Sequence, residues 1–188
     1  LMTRLRAQVV GPFVRAALVL MGFLAGTLAQ AHDFFLTPQS YLSQQSTIEI
    51  DATISAAFPA AEIAVTPDRI VAIHVLSSSP SARAEITGST EKTLRLRLSD
   101  AGLGVSVVAL RTVARDVDYA EDRIDMIMAE YEVAPEVVAA VNALPRPRTL
   151  LVRSTRVAKT HVCRGDCNDR TVAVRPIGSN LEFVAATV

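Results

Sequence analysis

Residues 92–99 read KTLRLRLS, and the alternation in this stretch decides the fold. In an extended chain Leu94, Leu96 and Leu98 fall on one side and Arg95 and Arg97 on the other. A helix would throw positions i and i+2 to opposite sides, about 200° apart, and could not gather the leucines into one stripe. One apolar face and one cationic face describe a strand of an antiparallel sheet whose inner side packs on a core. Working outward, STIEIDATI (46–54) sets Ile48, Ile50, Ala52 and Ile54 on one face. RIVAIHVLS (69–77) groups Ile70, Ala72, His74 and Leu76 opposite Val71, Ile73 and Val75. GVSVVALRTVA (104–114) follows the turn from Asp100 to Gly104 and predicts another strand. TLLVRSTRVAKTHV (149–162) predicts one long strand, SNLEFV (179–184) a last short one, and Asp33 to Leu36 the first. Short runs at this spacing predict a mainly β chain, an Ig-like antiparallel β-sandwich.

A helical insertion is expected at about 120–144. EDRIDMIMAEY (121–131) spaces Ile124, Ile127 and Met128 at i, i+3 and i+4, behind acidic residues that suit a helix N-terminus. Pro135 suits the first turn of a second helix, EVVAAVNAL (136–144), and the run Leu144 to Arg148 with its two prolines ends it. The acidic cluster Asp116, Asp118, Glu121, Asp122 and Asp125 lacks the alternation and glycine of a calcium loop, so a solvated, helix-capping face is expected.

Lys plus Arg and Asp plus Glu number 19 each, so no basic field points to nucleic acid. Half of the 188 residues are hydrophobic, enough for a packed core of Val, Leu, Ile and Ala. The N-terminus reads as a signal helix. Arg4, Arg6 and Arg15 precede the apolar run AALVLMGFLAGTL (16–28), and Ala29-Gln30-Ala31 offers the small residues a signal peptidase inspects. Residues 1–31 are therefore expected to be a signal peptide cut between Ala31 and His32, with residues 32–188 as one periplasmic or secreted domain. Anchoring in the inner membrane through an uncleaved leader is the alternative.

With those residues in view, the chain resembles the NikM-like periplasmic proteins, a family associated with nickel and cobalt uptake. The features that carry the resemblance are Ala31-His32-Asp33-Phe34-Phe35-Leu36-Thr37-Pro38 after the leader, then Tyr41 and Phe58-Pro59. Val157-Ala158-Lys159 and Asn180-Leu181-Glu182-Phe183-Val184 complete them. The resemblance implies an extracytoplasmic Ig-like, metal-binding domain; capture of Ni, Co or Cu and hand-over to a membrane transporter component is the function expected. Related chains often carry a glycine, sometimes with a histidine, before the Phe-Pro, where this one has Ile54-Ser55-Ala56-Ala57, and usually continue into a second β-rich domain.

His32, His74 and His161 are the candidate metal ligands. A cut after Ala31 gives His32 a free amine beside its imidazole, and a second imidazole would complete a histidine brace. A cut after Ala29 makes His32 the third residue, where amine, two amides and imidazole wrap Cu(II) or Ni(II) in a plane. His74 lies in an apolar run, where a hydrogen-bonded structural histidine is the plainer expectation. His161, Cys163, Cys167 and Asp166 or Asp169 admit a mixed metal site. Compartment argues instead for a Cys163–Cys167 disulfide that pins a turn. No nucleophile elbow, HExxH or phosphate loop occurs, so binding rather than catalysis is expected. A copper redox enzyme built on a histidine brace is the weakest alternative. A structural or interaction module of the cell envelope, with no metal and an envelope protein as partner, is the main alternative.

Overall fold

The alternation of KTLRLRLS survives intact in the computed structural model, which describes residues 32–168 and 171–178. Among the described residues ten strands form: β1 (Asp33–Pro38), β2 (Leu42–Ser43), β3 (Ile48–Ser55), β4 (Ile70–Leu76), β5 (Arg83–Ser89), β6 (Leu94–Ser99), β7 (Gly104–Thr112), β8 (Arg115–Ala120), β9 (Thr149–Ser154) and β10 (Val157–Arg164). Two helices, α1 (Glu121–Glu130) and α2 (Pro135–Asn142), stand between β8 and β9. One four-stranded sheet runs β1-β3-β6-β5, all antiparallel. The other runs β2-β10-β7-β4, antiparallel except where β2 lies parallel to β10. A separate ribbon pairs β8 with β9.

The two four-stranded sheets share one apolar core. Leu36, Ile48, Ile50, Leu94, Leu96 and Leu98 of the first meet Val108, Leu110, Ala158 and Val162 of the second. Arg95 and Arg97 face outward, opposite Asp51 and Glu49 of β3, and Arg97 Nε donates to Glu49 Oε1 at 2.7 Å. The leucine row is thus buried by packing while Arg97 pairs with Glu49 across the strands in water. SNLEFV and the leader through Ala31 lie outside the described residues.

Three sequence expectations need correction. In β3 the inward set changes before its end: Thr53 and Ser55 are buried and Ile54 is only half-buried. Thr53 Oγ1 donates to Lys92 O at 2.8 Å, which makes this polar burial tolerable. In β4 a bulge at Val71 shifts the register between Ile70 and Ala72. Beyond the extra residue the faces exchange, so Ile70, Ile73 and Val75 face the core and His74 faces solvent. The third correction concerns 149–162, which is two strands. Thr155 and Arg156 interrupt it, and Arg156 is tied to Thr112 by two hydrogen bonds, Arg156 N to Thr112 Oγ1 at 3.0 Å and Thr112 N to Arg156 O at 2.9 Å. That anchor turns the chain from the ribbon into the larger sheet. Strands β2, β5 and β8 have no counterpart in the sequence reading, although Ala84 and Ile86 of β5 alternate with polar residues and pack against the core.

The insertion is a small structure of its own. Ile124, Met128 and Val141 form its core, with Tyr119, Val133, Val138 and Leu150 packed around them. At its centre Arg148 is buried, with a side chain 1% exposed. Its backbone N–H donates to Glu121 Oε2 at 2.6 Å and its guanidinium to Glu121 Oε1 at 2.7 and 2.9 Å. Asn142 Oδ1 at 2.5 Å and Asp125 Oδ1 at 3.1 Å accept the remaining donors. A guanidinium can leave water here because nearly every donor finds an acceptor. Asp116 meanwhile takes a two-pronged pair from Arg153 at 2.7 Å. Three members of the acidic cluster are therefore arginine partners, not merely a solvated face.

Candidate functional site

The strands bring several loops to one end of the paired sheets. Val113 N donates to Arg69 O at 2.7 Å, which sets the start of the insertion beside the connection from β3 to β4. His32 reaches the same end, because Asp33 pairs with Ser55 at the close of β3. Arg156 Nη1 donates to His32 O at 2.5 Å and fixes the start of β1 against the turn between β9 and β10.

The β3–β4 connection is held by its own hydrogen bonds. Ile54 and Ile63 form a bridge, Glu62 N donates to Thr53 Oγ1 at 3.2 Å, and Ala56 N donates to Glu62 Oε2 at 3.2 Å. That same carboxylate oxygen lies 3.8 Å from His32 Nε2. Phe58 meets Phe35 edge to face at 5.1 Å and remains largely exposed.

A groove of about 530 Å³ opens beside His32, between the start of β1, the C-terminal end of α1 and the turn into β10. Phe34 and Tyr131 give it apolar surface, and Asp33, Glu130 and Arg156 give it charge. Burial pushes the Tyr131 hydroxyl above its usual range, reinforced by Tyr119 and by the Glu130 charge. A second hollow of about 410 Å³ sits on the insertion between Met128, Val133 and Val138, rimmed by Asp125 and Glu132.

The three histidines occupy three different settings. His32 is exposed at the start of β1 with Glu62 as its neighbour. His74 faces solvent from β4 opposite Ala109, and His161 stands on β10 opposite Val107. The strand between them separates the last two by roughly 10 Å sideways. Among the described residues no group of three His, Cys, Asp or Glu side chains is placed to hold a metal ion. Cys163 and Cys167 are joined in a disulfide. His161 is half-buried, and desolvation, then the nearby Lys159 charge, lowers its pKa, while a hydrogen bond with the Ala173 backbone opposes the shift. Among the described residues no helix is long and apolar enough to cross a membrane.

Sequence reasoning missed Glu62, Tyr131 and Arg156 as neighbours of His32. Each comes from a different connection, and no local spacing marks them; only the pairing of β1 with β3 and of β10 with β7 brings them together. Comparison of the chain with protein-family models, with curated proteins and with solved structures finds no match.

Proposed function

We propose that the chain is a binding module of the cell envelope, an Ig-like domain that grips a protein partner with the end described above. The strand order supports the Ig-like assignment: β1-β3-β6-β5 corresponds to A-B-E-D and β10-β7-β4 to G-F-C, with β2 added beside β10. On that assignment the 56–66 connection is the B–C loop and the ribbon with its two helices is an enlarged F–G loop. Those two loops form the recognition end of variable Ig domains. The observation that carries the proposal is where exposed apolar side chains collect. Phe58 at 64%, Tyr131 at 52%, Ile63, Val113, Leu151 and Val157 are all exposed on these loops or where they join the sheets. Aromatic side chains in that setting serve as anchors for a partner. The disulfide suits an oxidising compartment, and the leader supplies the route there by Sec-type export with removal of residues 1–31.

A photo-crosslinking residue placed at Phe58, at Tyr131 and at Leu103 on the opposite end tests this in the native envelope. One adduct of the same mass from the first two positions and none from Leu103 is the expected result. Adducts of equal yield from all three, or from none, would refute it.

The exposed His32 imidazole beside the Glu62 carboxylate favours a second reading, capture of Ni, Co or Cu at the N-terminus for a membrane transporter component. The donor set there fits a chelate completed by a processed terminus and does not fit a three-histidine site. Calorimetry with Cu(II) and Ni(II) on protein of verified N-terminus decides it. Equal binding by a His32→Ala variant sinks the metal reading and leaves the interaction module standing.

A further inference from the structure

The outer face of the β2-β10-β7-β4 sheet has a cover. Val108 and Leu110 of β7 point into the shared core, so Val107 and Ala109 between them point outward, yet both are fully buried. On β10 the same outward face carries His161, opposite Val107, and Cys163, opposite Val105. Burial fades toward β4, where His74 is exposed. Within residues 171–178, Ala173 lies over the β10 half: it is buried and its backbone is hydrogen-bonded to the His161 ring. His161 Nε2 beneath is shut off from solvent with no hydrogen-bond partner.

The disulfide explains how the chain comes to be there. Cys163 shares the outward face with His161, two residues away, so its sulfur projects over that side of the sheet. A bond to Cys167 then draws the chain leaving β10 onto the outer face within four residues. Gly165 makes the reversal with φ of +69°, a conformation side chains with a Cβ rarely adopt. Arg164 fastens the other side by donating to Ala101 O at 2.9 Å.

The geometry points to a redox latch: the Cys163–Cys167 disulfide holds residues 171–178 as a strap over the outer sheet face, and reduction by a thiol–disulfide oxidoreductase or a small dithiol releases it. The reductant's thiolate attacks one sulfur and the Cys163–Cys167 bond breaks. The resulting mixed disulfide is displaced by the reductant's second thiolate, leaving the reductant as a disulfide and both cysteines as thiols. Two electrons pass and no other reactant is needed. Release uncovers His161, Val107 and Ala109 as one surface continuous with His74. This latch stands apart from the recognition end and does not depend on it.

Diethyl pyrocarbonate modification of the three histidines, read by peptide mass spectrometry at neutral pH, tests the latch with the full chain from His32 onward. With the disulfide intact, His161 should react more slowly than His74. After dithiothreitol, removed before labelling under argon, the His161 rate should rise by up to about 30-fold. That factor is the loop-closure entropy of a five-residue ring expressed as an opening equilibrium. His32 and His74 should keep their rates. A Cys167→Ala variant, which leaves the buried Cys163 in place, should show the fast His161 rate without reductant. An unchanged His161 rate in protein whose mass confirms two free thiols would overturn the latch. So would equal acceleration at all three histidines, because the disulfide would then support the whole domain and not a strap.

Discussion

Truncating Leu96 to alanine probes the central claim about the fold, that the leucine row of β6 fills a core between two sheets. Leu96 is fully buried, flanked by Ile50 on β3 and Ile86 on β5, and belongs to the cluster that includes Val108 and Leu110 of the opposite sheet. Its three deleted carbons carry about 2.4 kcal/mol of transfer free energy. Because β6 is an interior strand with neighbours on both sides, the surroundings cannot collapse into the space, and the void adds its own cost. The expected loss is about 3–5 kcal/mol. For a domain near this size that corresponds to a fall in Tm of about 6–20 °C. Urea unfolding followed by circular dichroism, with the slope unchanged between wild type and variant, provides the measurement. Arg95→Gln on the same strand should leave the midpoint nearly where it was, because that side chain faces solvent. A Leu96→Ala loss below about 1.5 kcal/mol, less than transfer alone, would refute the packing of the two sheets around this row.

Gly102→Ala should cost about 1–3 kcal/mol by overpacking, since an added Cβ would lie 2.6 Å from the Ser79 backbone nitrogen; a neutral melting curve would contradict this. Glu121 is held down to about 2 by its hydrogen bonds with Arg148, so its stabilising effect is complete above pH 4.5 and fades as pH falls toward 2. Hydrogen-exchange protection across residues 121–148, taken relative to the intrinsic rate at each pH, should fall in that window before the leucine strands lose theirs, and Glu121→Gln should remove the pH step. Cys167→Ala should lower stability by about 2 kcal/mol through the lost five-residue ring, matched by reduction of the wild type; disagreement between the two would place the effect in the side chain instead of the cross-link.

How much could be read beforehand depended on whether the cause was local. The leucine and arginine alternation of 92–99 and the helical stripe of Ile124, Ile127 and Met128 are periodicities, and both stand in the structure as read. The pairing of Cys163 with Cys167 followed from compartment and closeness in sequence. The parity of β4 was not legible, because one extra residue at Val71 exchanges its faces, and nothing in the apolar run Ile70-Val71-Ala72-Ile73 marks where it falls. The burial of Arg148 depends on Glu121, Asp125 and Asn142, which come from two helices whose mutual packing no local spacing shows.

By itself the sequence determined the secondary elements with strong periods, the helical insertion and the identity of the core leucines, since each follows from the spacing of apolar residues along one segment. Tertiary structure alone decided which strands are neighbours, and with that what surrounds each histidine. Strand order is set by pairing over tens of residues. That pairing sends His74 to solvent, puts His161 under a strap, and sets His32 beside Glu62, Tyr131 and Arg156.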